Sequence, residues 1–261
     1  MGLGLGHGAS RSVLTIYQTD HTHSQVLCRA ISLGIKSKIV PPIELLPGPA
    51  CVYGILRGCD QIIRQCEWVG RDYFHIDHGY LKRGHYEGYY RLSKNGLQWD
   101  GEGKFPPDRW ASLGIKLEPW RKSGRNVVVC PVSAAVAQFR GIDSHRWLKS
   151  VVSELSKFTD RPVIVKPKDE GDLRPILNDA FCLVAYNSNA ATEAVIQGIP
   201  AIVLGESACS PVARTRIRDI ENPNYADREP WAHGLAYHQW TIKELRDGKC
   251  WELLNELQGM R

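Results

Sequence analysis

Residues 181–205 read FCLVAYNSNAATEAVIQGIPAIVLG, and this stretch decides how the rest of the chain is read. A run of apolar residues forms a buried strand, a small polar turn follows, and an amphipathic helix carries Glu193 in its second turn. Gly198-Ile199-Pro200 ends that helix, and a second buried strand begins. Such a unit sets backbone N–H groups and a carboxylate at the carboxyl end of a parallel strand, where open α/β sheets bind nucleotides. In Asn187-Ser188-Asn189-Ala190-Ala191-Thr192-Glu193 the small side chains let a phosphate approach the backbone. The helix N-terminus adds about half a positive charge. Glu193 can accept both hydroxyls of a ribose. The alternative is plain capping, with Asn189 as N-cap and Glu193 merely exposed.

Upstream of this unit, NVVVC (126–130) reads as a buried strand, 131–141 as a loop holding Ser133 and Gln138, and 144–158 as an amphipathic helix capped by Ser144. A strand at 162–166 and a short helix at 172–177 complete a β-α-β-α-β-α-β series, which predicts a doubly wound parallel sheet. The first half repeats the alternation, with strands at 12–17, 38–40, 51–56 and 72–77 and helices at 24–33 and 60–69. Residues 100–126, rich in Gly, Pro and charge, read as a linker. The tail places Trp231, Leu235, Trp240, Leu245, Trp251 and Leu254 as anchors of two or more helices laid across the body. The expected architecture is therefore α/β, with two Rossmann-like domains at 1–125 and 126–230 facing across a cleft and C-terminal helices over 231–261. The opening MGLGLGHGASRS precedes the first strand instead of following one, so its glycines read as a flexible leader and not as a dinucleotide loop.

Composition bounds the function. The chain has 261 residues, 43% of them hydrophobic, which is enough for real cores and excludes a disordered chain. Lys and Arg number 33 against 28 Asp and Glu, a net charge of +5 that suits an anionic ligand or nucleic acid without requiring one. The eight cysteines are scattered and none forms a Cys-x-x-Cys pair, so they read as core thiols of a cytoplasmic protein. No apolar stretch reaches the roughly 18–20 residues of a membrane span, and no signal peptide is visible.

Chemistry-bearing residues collect at predicted strand ends. Asp20, His21 and His23 follow the first strand, where they either line a site or cap a helix. Asp77, between His75 and His78 at another strand end, is the expected general base, with Asp20 second; ordinary strand-end hydrogen bonding is the alternative. No metal site is expected there, because adjacent residues of a strand point to opposite faces. Residues 77–99 mix five Tyr or Trp residues with Lys82, Arg83, Arg91 and Lys94, as a loop facing bases, sugars or phosphates does. A tyrosine-rich segment packed on the surface has the same composition.

The stretch SNAATEAVIQGIPAIVLG resembles the corresponding part of two-Rossmann (B-type) glycosyltransferases and their epimerase cousins. The resemblance implies that Ser188, Asn189 and Ala190 face a diphosphate, that Glu193 holds the donor ribose, and that Ser133 contacts phosphate. More loosely, DHGYLKRGHYEGYYRLSKNG, EPWRKSGRNVVVCPVS and the tail REPWAHGLAYHQWTIKELRDGKCWELL resemble small phage-encoded proteins of glycosyltransferase type, some of which decorate hydroxymethylated bases of DNA. Together the two resemblances imply a transferase with no tightly bound cofactor, using a nucleotide-sugar donor, a UDP-sugar by expectation. A leaving diphosphate would be neutralised by Lys166 or by Arg214, Arg216 and Arg218. On this reading Asp77, Asp20 and His78 serve catalysis, and Asn187, Thr192 and Arg214 join the donor site. Tyr80, Lys82, Arg83, His85 and Arg91 meet the acceptor. The acceptor expected first is a 5-hydroxymethylated pyrimidine of phage DNA, flipped out of the duplex, for which Lys94, Arg121, Lys122 and Arg125 would add phosphate contacts. A glycan or small-molecule acceptor, an epimerase or hydrolase, and a non-catalytic nucleic-acid-binding module are the alternatives.

Overall fold

The computed structural model describes residues 14–168 and 170–258, with side chains to Leu253. The leader 1–12 lies outside the described residues. The first half runs β1 (Thr15–Tyr17), α1 (Thr22–Ile35), β2 (Ile39–Val40), β3 (Ala50–Tyr53), α2 (Cys59–Val69), β4 (Tyr73–His78) and β5 (Tyr89–Lys94). After α3 (Asp108–Leu113) come β6 (Asn126–Cys130), α4 (Ala134–Arg140), α5 (Ser144–Leu155), β7 (Val163–Val165), α6 (Arg174–Leu177), β8 (Ala180–Ala185), α7 (Asn189–Ile196) and β9 (Ala201–Val203). The chain ends in α8 (Glu229–Tyr237), β10 (Gln239–Thr241), α9 (Ile242–Arg246) and α10 (Lys249–Gln258).

The strands form two sheets. One has the order β7-β6-β8-β9 with every pairing parallel. All six residues of β8 are buried, which is why it reads as an unbroken apolar run and not as an alternation. The other sheet has the order β10-β5-β4-β3-β1-β2; β1 to β4 pair in parallel, while β5 and β10 add antiparallel. Ten residues join β4 to β5, too few for a crossover to a parallel neighbour, so the chain must turn straight back.

Several expectations need correcting. Residues 77–99 are not all loop, since β5 lies among them. Its two faces are both covered, so no period of two marks it. Residues 131–141 hold α4, capped by the Ser133 side chain, which accepts from the Val136 N–H. Asp143 caps α5 in place of Ser144. The stretch 100–126 is packed, not free: Phe105, Trp110, Ile115, Leu117 and Trp120 lie against the same core as α7 and α8. These residues have no helical or strand spacing, and their Gly and Pro neighbours hide their burial in a sequence reading.

The tail is not wholly helical, because β10 enters the first sheet opposite Tyr89 to Arg91. Arg109 organises this return. Its guanidinium donates to the Ala236 and Gln239 carbonyls and pairs with Glu244 at 2.6 Å, lying 4.3 Å over the fully buried Trp240 ring. Thr241 and Glu244 form a capping box that starts α9, and α9 packs on α1. All eight cysteines are free and buried, as core thiols should be. Among the described residues no helix is long and apolar enough to cross a membrane.

Gly234 marks a close approach in this packing, since a Cβ there would stand 2.0 Å from the buried Trp99 ring. Gly234→Ala therefore sets a helix-propensity gain of about 1 kcal/mol against an overpacking cost of roughly 1–3 kcal/mol. The clash is with a ring that cannot swing away, so the cost should win. Calorimetry should read a Tm several degrees lower; an unchanged or higher Tm would show that α8 can slide.

Candidate functional site

In the second sheet β7 and β8 flank β6 on opposite sides, so connections leaving β6 and β8 diverge and open a crevice at their carboxyl ends. This is the topological switch point at which doubly wound sheets bind ligands. Cys130 pairs with Ala185 in register, which brings the turn at Ser133 and the turn at 187–189 to the same edge. Ser188, not Asn189, caps α7, accepting from the Ala190 N–H at 3.2 Å. Asn189 is freed to donate across the crevice to the Gly79 carbonyl at 3.1 Å.

The crevice is one side of a cleft of about 520 Å³. Ser133, Asn187, Ser188, Asn189, Ala190 and Glu193 line it from the second sheet, together with Lys166 and Lys168 at the end of β7. Asp77, His78, Arg83, Arg91 and Gln98 face them from the first sheet. Lys166 is 6% exposed and donates to the Pro167 carbonyl at 2.7 Å. The Cys130 thiol in the floor is pushed up to about 11 by burial, so it stays protonated and is no nucleophile at neutral pH.

At the first sheet's edge Asp77 binds Arg91 at 2.7 Å and accepts from the His78 N–H at 2.8 Å. Burial would raise the Asp77 carboxyl, but Arg91, with His75 and His78, holds it below the usual carboxylate range. The Asp77 side chain keeps 34% exposure and is open to the cleft as a weakly basic anion. His78 is different. Burial lowers its imidazole below the ordinary value, Asp77 opposes this and Arg91 reinforces it, leaving a neutral ring at pH 7. Its Nε2 stands 3.5 Å from the Tyr53 hydroxyl. His75 is a core residue, fully covered and driven down to about 4 by burial.

Several expected site residues lie elsewhere. Asp20 is 84% exposed, pairs with Arg57 at 3.3 Å and does not line the cleft. Thr192 turns inward, its Oγ1 3.3 Å from the Cys209 sulfur, because it shares the buried helix face with Val195. Tyr80 is 1% exposed; its hydroxyl accepts from the Trp99 N–H at 2.8 Å, and the ring supports Arg91 from 5.6 Å. Lys82 is exposed outside the cleft lining, and His85 meets His23 at 3.1 Å. Arg214 donates to the Asn222 carbonyl, and Arg216 and Arg218 border a separate depression beside Trp147. None of these three arginines lines the cleft, and the cations that do line it from the second sheet are Lys166 and Lys168.

Sequence reasoning missed Lys168, Gln98 and the pairing of Arg83 with Glu193. Lys168 follows a strand end as Lys166 does, so its position was a usable signal. Gln98 sits in an irregular stretch, and an ion pair spanning 110 residues leaves no local trace.

No protein-family model matches this chain, and no curated protein is significantly similar to it in sequence. Solved structures do resemble it. Thermosulfurimonas dismutans KpsC, beta Kdo 2,7 transferase, superposes with a TM-score of 0.53 and 14% identity, covering 94% of this chain and 99% of that one. Thermosulfurimonas dismutans KpsC, beta Kdo 2,4 transferase, superposes with a TM-score of 0.50 and 11% identity over 88% and 92% of the two chains. At these identities the likeness is one of fold, and this chain has the fold of those two structures along nearly its whole length.

Proposed function

We propose that the protein is a glycosyltransferase that moves a sugar from a nucleotide-sugar donor to a hydroxyl of a glycan or small-molecule acceptor. The observation that carries this reading is the cleft itself. A capped helix N-terminus and Glu193 on one sheet face a neutral imidazole and an ionised carboxylate on the other, in a fold shared with two sugar transferases. The two α/β halves, 1–125 and 126–230, then serve as acceptor and donor halves of a B-type architecture. The segment 231–261 ties them together.

On this reading the donor's phosphate lies over Ser188, Asn189 and Ala190, with Ser133 opposite, and its ribose reaches Glu193. Lys166 and Lys168 neutralise charge on the departing nucleotide. His78 takes the proton from the acceptor hydroxyl, and ionised Asp77, close to the ring and held by Arg91, stabilises the imidazolium that forms. A base works best with a pKa near the working pH, which favours the neutral imidazole over a carboxylate already committed to an arginine. Free buried thiols fit a reducing, cytoplasmic setting.

A glycan acceptor is preferred to a DNA base for a specific reason. Of the seven cations assigned to phosphates, four are engaged within the protein: Arg83 with Glu193, Arg91 with Asp77, Lys94 with Asp72, and Arg121 with the Leu177 and Asn178 carbonyls. A duplex would have to break these contacts before making its own.

Glu193→Ala should weaken nucleotide binding by about 1–3 kcal/mol, the scale of a lost charge-assisted hydrogen bond, with far-UV circular dichroism unchanged. Titration calorimetry against a panel of nucleoside mono- and diphosphates and their sugars checks this, and failure of every nucleotide to bind the wild type would end the transferase reading. Consumption of donor without acceptor would point to a hydrolase or epimerase.

His78→Gln should lower transfer by roughly 100-fold or more while nucleotide affinity stays within twofold. The sign of the pH dependence comes from the lowered imidazole. His78 is neutral above its folded value and protonated below it, so the rate should hold at pH 7 and fall only below about 6.5, the ordinary imidazole value. If Asp77 is the base instead, Asp77→Asn abolishes transfer and no loss of rate accompanies imidazole titration.

A further inference from the structure

We propose that residues 82–88, the outer part of the connection between β4 and β5, form a clasp that occupies Glu193 with Arg83 and is released when His23 and His85 are both protonated. The inference rests in one respect on the proposed function, in which Glu193 serves the donor.

The connection is rooted in the core by Tyr80 and Leu81, the Leu81 N–H donating to Gln239 Oε1 at 2.9 Å, and it makes three further contacts. Arg83 pairs with Glu193 on α7, across the cleft from its own sheet. The Gly79 carbonyl accepts from Asn189 in the same turn that would meet a phosphate. His85 Nδ1 lies 3.1 Å from His23 Nε2 on α1, and the Tyr86 ring stacks on His23 at 4.9 Å and 9°. One short segment thus bridges the switch point of the second sheet and the corresponding point between β1 and β3 in the first.

The segment adopts a costly shape to do so. Lys82 and Tyr86 have φ of 46° and 48°, a left-handed region that side chains with a Cβ avoid. Gly88 lets the two arms of the turn close, since a Cβ there would stand 2.2 Å from the Gly84 nitrogen. Contacts at the tip must therefore hold the shape in place.

The imidazole pair is the contact that a proton can break. An N–H···N bond between two rings needs one of them to lack a proton at the shared position. Two imidazolium rings 3.1 Å apart would instead repel. Their surroundings do nothing to relieve this. The His21 and His78 rings lie 5.6 and 5.8 Å from His23, Lys82 and Arg83 precede His85 in the loop, and burial pushes the Tyr53 hydroxyl up so that it stays neutral. The nearby carboxylates Asp20, Asp77 and Glu193 already hold Arg57, Arg91 and Arg83, and Glu87 is carried on the loop itself. Burial and the neighbouring imidazoles keep His23 below its ordinary value. The sign is then fixed: the clasp is closed at neutral pH and opens on acidification, once a second proton is forced onto the pair.

Amide exchange of residues 82–89, corrected for the intrinsic pH dependence, is the deciding measurement. In the wild type, protection should fall tenfold or more between pH 7.5 and pH 5.5. His85→Ala should be weakly protected at both values. His23→Gln, whose amide can still bond His85 but does not titrate, should remain protected at both. Equal protection of the wild type at the two values, or full protection in His85→Ala, overturns the clasp. UDP is the probe of the consequence: the ratio of its affinity at pH 5.5 to that at pH 7.5 should be at least fivefold higher for wild type than for His23→Gln. Exchange that behaves as stated, with UDP and the other nucleotides failing to bind, supports the clasp and removes the donor role of Glu193.

Discussion

The parallel pairing of β6 with β8 is the constraint on which the rest depends. Parallel strands end at one edge, so a sheet of this kind gathers its strand-to-helix turns there whatever their sequence. The register Cys130 to Ala185 brings Ser133 level with 187–189, and Val129 to Val165 adds Lys166 to the same edge. Because β7 and β8 leave β6 on opposite sides, the gathered turns spread apart and not over one another. A cleft results from topology before any side chain is considered.

The first sheet completes the cleft, and its position depends on segments with little regular structure. The stretch between the sheets packs with α7 and α8, where Arg228 donates to the Val195 and Glu118 carbonyls and lies 4.0 Å over Trp120. The tail passes back to pair β10 with β5, and Arg109 gathers its carbonyls. Burying rings of this size stabilises by roughly 1.5–3 kcal/mol each, on the scale of the charge-assisted hydrogen bonds that the two arginines make, so apolar contact and charge hold these segments together. Such a joint keeps His78 and Glu193 on facing walls of the cleft.

The electrostatics of the cleft are balanced pair by pair. Asp77 has Arg91 and Glu193 has Arg83, so each of these two carboxylates is held by an arginine. The second pair is the more exposed and spans the gap. It is therefore the one a ligand can displace, whereas the first, set in the sheet, orients the residues beside it.

The run of apolar strands from Asn126 to Val203, the capped turn before Glu193 and the strand end at Asp77 and His78 were legible in the sequence, because each is written in neighbouring residues as a period, a cap or a breaker. So were the core thiols. Burial of Tyr80 and Thr192, the distance of Asp20 and Arg214 from the cleft and the strand inside 77–99 were not, since composition reports what a residue can do and not which way it faces. The stretch 100–126 shows the same limit: its aromatic residues keep to no period, and only their common core reveals them as a joint. The sequence by itself determined an α/β chain with a capped polar turn after a buried strand. Tertiary structure alone decided which side chains meet across the cleft. Contacts such as Arg83 with Glu193 and His23 with His85 join residues far apart in the chain, and nothing local encodes them.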